Sequence, residues 1–179
     1  MTSYKNNYFV SWLDGRNTAT TGGHENHKDH QGAMSLRAAV VDRQMKKINE
    51  TELDNRVCDC CQTGSALTAA GPVVVYRDRS GDEIRDISIV RMVNNKWTNP
   101  KTIFDDGWKI DGCPVNGPRI AAVSNNLAIA WFSSPDQNAQ VKIIFSDDGG
   151  ATFKNPVRID EGRGLGRVDI LMLNEITAL

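Results

Sequence analysis

The residues with the clearest potential for chemistry are three histidines in one short segment. His24, His27 and His30 are all the histidines of the chain, and they lie within seven residues. Imidazole nitrogens spaced in this way in a glycine-bounded loop can bind Zn, Cu or Ni. The segment is equally compatible with a solvated polar loop that is rich in histidine by chance. Both interpretations stay open, and if a metal binds here we expect Zn or Cu.

The four cysteines are the second group of candidate metal ligands. Three form the cluster Cys58-Asp59-Cys60-Cys61, and the fourth is Cys113. The spacing of the whole cluster differs from that of standard zinc fingers. A soft-metal site with Cys113 or the histidines, a redox thiol, a structural disulfide and plain buried thiols are therefore all open. For a disulfide we expect Cys58 with Cys113, because these two occupy equivalent places in a repeat.

Arginines next to aspartates form the third group. Arg77, Asp78 and Arg79 directly follow an apolar segment. A guanidinium fork can clamp the carboxylate of an acidic sugar, such as a sialic or uronic acid. The alternative is a structural arginine–aspartate network between neighbouring strands. Arg56 and Arg119, which fall in links between repeats, complete the candidate substrate-binding residues.

A turn motif indicates the elements that position these residues. Segment 146–153 has the pattern S-x-D-x-G-x-T-F and lies between two apolar, strand-like runs. Its aspartate can accept bonds from the turn backbone, and its glycines can adopt positive φ. The motif therefore predicts a tight turn between antiparallel strands, with a structural role for its defining residues. These are Ser146, Asp148, Gly150, Thr152 and Phe153.

The chain is also internally repetitive. When it is shifted by about 55 residues, segment 65–76 aligns with 120–131, and segment 86–90 aligns with 141–145. A period near 50 residues that holds four short strands is typical of propeller blades. No long stretch has helical periodicity. The sequence therefore predicts an all-β fold, a β-propeller of four-stranded antiparallel blades.

The repeat predicts how the chain is divided. We expect one partial propeller domain over 1–179, with blade repeats near 5–57, 58–112 and 113–166 and the start of another at 167–179. The first unit is expected to begin at a second strand, and the last to stop as a second strand begins. This is about three blades, whereas closed propellers have about four to eight. The chain is thus predicted to be a fragment of a longer propeller or half of a homodimer that closes a six-bladed ring.

Blade topology predicts where the candidate residues meet. Loops after second strands, and links between blades, emerge at one rim, while turns between third and fourth strands emerge at the other. All four cysteines, all three histidines and the candidate arginines fall at the first rim. The sequence therefore predicts one rim that carries the chemistry and an opposite rim that carries the turn motif.

The turn motif and the repeat resemble the Asp-box repeats of the sialidase-like (neuraminidase) superfamily. Runs 56–63, 75–79 and 112–118 also resemble bacterial proteins labelled exo-α-sialidase by similarity. The resemblance implies a six-bladed propeller, glycan chemistry and a periplasmic or secreted location. Authentic sialidases use an arginine triad, a tyrosine nucleophile assisted by a glutamate, and an acid/base aspartate. The Phe-Arg-Ile-Pro motif of their first arginine is absent here, so no catalytic residue is carried over.

Composition excludes some classes of partner. The net charge of −1 and the pI near 6.3 give no general attraction to nucleic acid. No apolar stretch is long enough to span a membrane, and the first residues show no signal-peptide core. Two function hypotheses follow. One is a sialidase-like glycoside hydrolase acting on acidic sugars, and the other is a non-catalytic propeller with a His/Cys metal- or partner-binding rim.

Overall fold

Three antiparallel β-sheets follow one another along the chain. The computed structural model describes residues 2–18 and 33–179. The first sheet consists, in spatial order, of β1 (Thr2–Tyr4), β2 (Asn7–Asp14), β3 (Met34–Val41) and β4 (Lys47–Val57). The second consists of β5 (Gly64–Leu67), β6 (Pro72–Arg77), β7 (Ile87–Val93) and β8 (Lys96–Trp97), with β9 (Lys101–Phe104) also paired to β7. The third consists of β10 (Arg119–Val123), β11 (Asn126–Ser133), β12 (Gln140–Ser146) and β13 (Val157–Arg158).

The second sheet is buried on both faces. Successive side chains of a strand point to opposite faces, and β6 shows the result. Val73 and Val75 pack in the core shared with the third sheet, whereas Val74 and Tyr76 pack in the core shared with the first. This explains why β6 is a continuous apolar run rather than an alternating one.

The inner edges of the three sheets are adjacent. Strand β5 contacts β1 on one side and β10 on the other. The hydroxyl oxygens of Thr2 and Ser65 lie 3.5 Å apart. A side chain at Gly64 would come within 3.2 Å of Ile120, so glycine allows β5 and β10 to pack closely. First strands side by side, with meanders running outward, are the arrangement of propeller blades. The three sheets do not close into a ring.

The first sheet differs from its prediction at the start of the chain. The sequence predicted that the chain begins at a second strand, but β1 is a first strand paired with β2. The two strands are joined by Lys5 and Asn6, both with positive φ (46° and 63°). Two positive-φ residues between paired strands form the tight turn typical of hairpins. The first sheet therefore has all four of its strands.

The last segment also differs from its prediction. A first strand was expected over 168–173 and the beginning of a second at 177–179. The structure assigns no strand there, and the two runs meet in an isolated bridge between Met172 and Ala178. Hydrogen bonds of 2.9 and 2.8 Å between the backbones of Leu171 and Leu179 flank this bridge. The two runs thus form only a short, irregular hairpin.

None of the described segments forms a helix that is long and apolar enough to cross a membrane.

Candidate functional site

Links between the sheets converge beside the end of β6. The end of β4 runs along the end of β6, and the backbone N–H of Cys58 donates to the carbonyl of Arg77 at 3.0 Å. The link before β10 packs on the link before β5, where the N–H of Gly117 donates to Oε1 of Gln62 at 3.3 Å. A side chain at Gly117 would overlap the Gln62 backbone. These contacts bring the candidate cysteines and arginines of the predicted rim together.

Arg77 lies inside the protein at this rim. Its side chain is fully buried, because it continues the face of β6 that packs on the third sheet. Nε donates to the carbonyl of Asn116 at 2.8 Å, Nη1 to that of Arg85 at 2.5 Å and Nη2 to that of Phe132 at 2.6 Å. The guanidinium carbon lies 4.9 Å from the centre of the Trp108 ring. Burial lowers the pKa of Arg77.

This burial differs from the prediction that Arg77 clamps a sugar carboxylate. The group joins the second sheet to the third and presents no face to a ligand. No carboxylate of the described residues forms an ion pair with it. Arg77 is therefore a buried cation held by carbonyl dipoles.

Arg79 belongs to an ion network centred on Glu83. Glu83 accepts bonds from Arg79 at 3.1 Å, from Arg85 at 2.5 Å and from Arg56 at 3.2 Å. Arg79 also reaches Asp59 at 3.3 Å. Burial would raise the pKa of Glu83, but the bonds from Arg79 and Arg85 outweigh it and lower the pKa. Arg79 and Arg56 therefore belong to a structural ion network, which was the alternative to sugar binding, and the centre of this network is a glutamate rather than an aspartate.

Asp78 lies next to a tyrosine–carboxylate pair that the sequence analysis missed. The Tyr76 hydroxyl donates to Asp54 at 2.6 Å, and Ser88 donates to Asp78 at 3.0 Å. Burial and the nearby Asp54 charge raise the pKa values of Tyr76 and Asp78. A fully buried tyrosine with a raised pKa is a poor nucleophile. The pair stabilises the contact between the first and second sheets.

The structure contains one disulfide, and the predicted pairing is wrong. Cys60, rather than Cys58, is bonded to Cys113, with Cα atoms 6.2 Å apart. Cys58 directly follows β4 and is fully buried, whereas Cys60 lies nearer the surface. The disulfide therefore joins the link before β5 to the link before β10.

Cys58 and Cys61 are buried thiols in contact with each other. Their Sγ atoms lie 3.1 Å apart. The sulfurs of Cys58, Cys60 and Cys61 all lie within 4.8 Å of one another. The hydrogen bond with Cys61 lowers the pKa of Cys58 to about 6, and the same bond raises that of Cys61. The sequence contained a signal for this pair, because Cys58 and Cys61 alone have the C-x₂-C spacing used by metal sites.

Arg119 lines a small polar pocket at the same rim. The pocket has a volume of about 90 Å³ and is lined by Gln62, Gly117, Arg119, Arg167 and Val168. The N–H of Arg167 donates to the side chain of Asn116 at 2.9 Å, which fixes the loop that carries it. Arg119 lies 3.9 Å from Asp169, whose side chain is 91% exposed. Two arginines thus line one pocket, and no sequence pattern pointed to Arg167.

The turn at 146–153 is held by its own side chains. Asp148 accepts bonds from the N–H of Thr152 at 2.9 Å and from its hydroxyl at 2.6 Å. Ser146 accepts from the N–H of Gly150 at 2.9 Å, and Gly150 has a φ of 85°. Phe153 packs against the core between the second and third sheets. The turn lies at the opposite end of β12 from Phe132, and hence from the rim that holds Arg77.

The predicted histidine site, formed by His24, His27 and His30, lies outside the described residues. Its metal-binding role and its relation to the cysteines stay predictions.

Comparison with known proteins supports a propeller-like fold. No family model and no curated protein matches the chain. Among solved structures, the chain is similar to a GH32 beta-fructofuranosidase of Bombyx mori, with a TM-score of 0.52 and 12% sequence identity. The chain has a propeller-like fold. The match covers 90% of this chain and 34% of the other, so this chain spans about a third of that structure's length.

Proposed function

We propose that this chain is part of a propeller glycoside hydrolase of sialidase type that acts on acidic sugars. The observation that carries the proposal is the pocket shared by Arg119 and Arg167. The propeller-like fold, the similarity to a glycosidase structure and the Asp-box resemblance support the same class. In this proposal the chain supplies a carboxylate-binding subsite, and further blades supply the catalytic residues.

The arginines of this pocket are more accessible to a ligand carboxylate than Arg77 and Arg79 are. Guanidinium groups bind carboxylates through parallel, charge-assisted hydrogen bonds. Arg77 is buried and Arg79 is engaged by Glu83, whereas the Arg119 side chain is 37% exposed. Its exposed partner Asp169 forms only a weak surface pair, which a ligand can displace. The acid-binding role is therefore assigned to Arg119 and Arg167.

Hydrolysis of a fluorogenic sialoside by a protein that contains this chain within a complete propeller tests the proposal. Replacement of one guanidinium in Arg119→Met is expected to lower kcat/KM about tenfold to a hundredfold, because one charge-assisted bond contributes about 1.5–3 kcal/mol. Arg163→Met, which removes an exposed charge outside the pocket, is the control and should leave kcat/KM unchanged. Lack of cleavage across a panel of sialosides and uronides would contradict the proposal.

A second candidate function is a non-catalytic propeller whose rim binds a metal or a partner. The observation that favours it is the grouping of the Cys58, Cys60 and Cys61 sulfurs within 4.8 Å. A protein that binds metal at this rim and cleaves no acidic glycoside would support this function over the hydrolase.

A further inference from the structure

The buried charge of Arg77 lacks a charged partner among the described residues. An ion inside a protein is costly unless an opposite charge or a metal compensates it. The three groups that accept from Arg77 are backbone carbonyls, which carry no net charge. Cys58 contacts Arg77 through the backbone, where its N–H donates to the Arg77 carbonyl at 3.0 Å, and negative charges on Cys61 and Cys58 would raise the pKa of Arg77. An anionic centre at these two sulfurs would neutralise the guanidinium.

The same two cysteines have the geometry of a ligand pair. Cys58 and Cys61 are at most 1% exposed, and their sulfurs lie 3.1 Å apart. They are separated by two residues, so one short loop holds both. The other two cysteines, Cys60 and Cys113, are joined in a disulfide. Two thiols are therefore free to bind an ion in the part of the chain that the structure describes.

We propose that Cys58 and Cys61 bind one Cu(I) ion as a buried bis-thiolate centre beside Arg77. Thiolates select soft ions such as Cu(I) and zinc. Structural zinc sites almost always have four ligands. Across residues 2–18 and 33–179, Cys60 is the only further metal-ligating side chain in the cluster, and its sulfur is in the disulfide. A pair of thiolates is sufficient for Cu(I), and the two sulfurs, which lie 3.1 Å apart, move apart to hold the ion between them.

Charge balance supports this assignment. Each thiol releases its proton when it binds the metal. A Cu(I) ion with two thiolates carries a single negative charge, and the Arg77 guanidinium carries a single positive charge. The centre and the arginine are then neutral together, in a place where water cannot screen either of them. Copper enters and stays as Cu(I), so binding needs no oxidant or reductant.

This inference deepens the second candidate function by naming its ion and ligands. It involves neither Arg119 nor Arg167. Because its readout is bound copper rather than cleavage, failure of the copper site leaves the hydrolase proposal untouched, and failure of the hydrolase proposal leaves the copper site untouched.

Anaerobic titration of the purified, unreduced chain with Cu(I), in competition with a chromogenic Cu(I) chelator, tests the site. We expect about one Cu(I) per chain, and X-ray absorption should show sulfur as the only first neighbour of copper. Cys58→Ser and Cys61→Ser should each abolish stoichiometric binding. The matched control is the double variant Cys60→Ser/Cys113→Ser, which removes the disulfide, keeps both ligands and should still bind one ion.

Alkylation mapping keeps the test decisive if a serine variant fails to fold. In the wild-type chain, Cys58 and Cys61 are buried and react with a thiol-alkylating reagent only through local opening, and Cu(I) should slow this alkylation at both residues. Three results would overturn the proposal. The denatured, metal-free chain could lack free thiols, which would show a Cys58–Cys61 disulfide. Both serine variants could retain copper, or zinc could bind in preference to Cu(I) and be lost in the Cys60/Cys113 control.

Discussion

At the scale of single residues, Arg77 shows how a polar residue is used inside this fold. Strand alternation places Arg77 on the same face as Val73 and Val75, which points toward the third sheet. This alternation of side chains along β6 can be read from the sequence, and it predicts that Arg77 is buried. The identity of the acceptors was not readable, because they are carbonyls of Asn116, Arg85 and Phe132 that only the folded loops bring together.

Arg77→Met tests this structural role. The variant removes a buried charge but leaves three carbonyls without donors, so we expect a loss of about 3 kcal/mol in the free energy of unfolding. Urea denaturation measures it. Arg158→Met is the control, because the Arg158 side chain is 38% exposed at the surface, where it pairs with Asp160, and it should cost less than about 1 kcal/mol. A loss for Arg77→Met as small as that of the control would show that Arg77 does not join the sheets.

The cysteines and the pocket differ in how far the sequence predicted them. The C-x₂-C spacing of Cys58 and Cys61 is present in the sequence, but Cys60 lies between them, so the cluster as a whole did not match a standard metal-site spacing. The disulfide partner of Cys113 depended on which way each side chain turns after β4, and spacing does not specify this. Arg167 lies in an irregular link with a φ of 59°, where no periodic pattern exists. Its place in the pocket therefore came from the structure alone.

At the scale of elements, the repeat predicted the middle strands best. Strands β6 and β11 are buried apolar runs, so the shift of about 55 residues superposed them. The outer strands of the second and third sheets are shorter for a local reason. Pro100 separates β8 from β9, and Pro156 immediately precedes β13. Proline lacks the N–H needed for a ladder, and this restricts it to sheet edges.

The stabilisation that Asp148 contributes to the turn at 146–153 is expected to depend on pH. Burial would raise the pKa of Asp148, but its bonds from Thr152 outweigh this effect and lower the pKa from 3.8 to about 2. A lowered folded-state pKa means that the stabilisation is complete above the unfolded-state value and disappears as pH falls through the folded-state value. Asp148→Ala should therefore cost about 1 kcal/mol near neutral pH. This difference from wild type should shrink as the pH falls from about 4 to about 2.

Denaturation at several pH values checks this expectation. The neighbouring Asp147→Ala is the matched control, because Asp147 is largely exposed and pairs only with exposed Lys154. It should have little effect at any pH. A cost for Asp148→Ala that is constant down to pH 2 would mean that the charge of Asp148 does not hold the turn.

At the scale of the whole molecule, the three sheets act as one wedge around adjacent inner strands. Tyr76 and Asp54 connect the first sheet to the second, Arg77 connects the second to the third, and the Cys60–Cys113 disulfide joins the two links. Apolar side chains are exposed in the last segment, where Leu165 is 89% and Ile176 is 87% exposed. The closing of a ring by further blades or by a second copy of the chain stays a prediction.

The proposed function depends on the pocket at the start of β10, which we expect to bind the carboxylate of an acidic sugar. Its lining unites two inter-sheet links and the last segment, so it exists only in the folded chain. The matched pair for a test is Arg167→Met and Arg163→Met. Both residues are exposed arginines with positive φ (59° and 61°), and only Arg167 lines the pocket.

The most direct measurement is an NMR titration of the labelled chain with N-acetylneuraminic acid and, separately, with a neutral hexose. We predict that the acidic sugar alone shifts the amide signals of Gln62, Gly117 and Val168. Arg167→Met should weaken binding about tenfold or more, and Arg163→Met should leave it unchanged. Equal shifts with the neutral sugar, or equal binding by the two variants, would contradict carboxylate binding at this pocket.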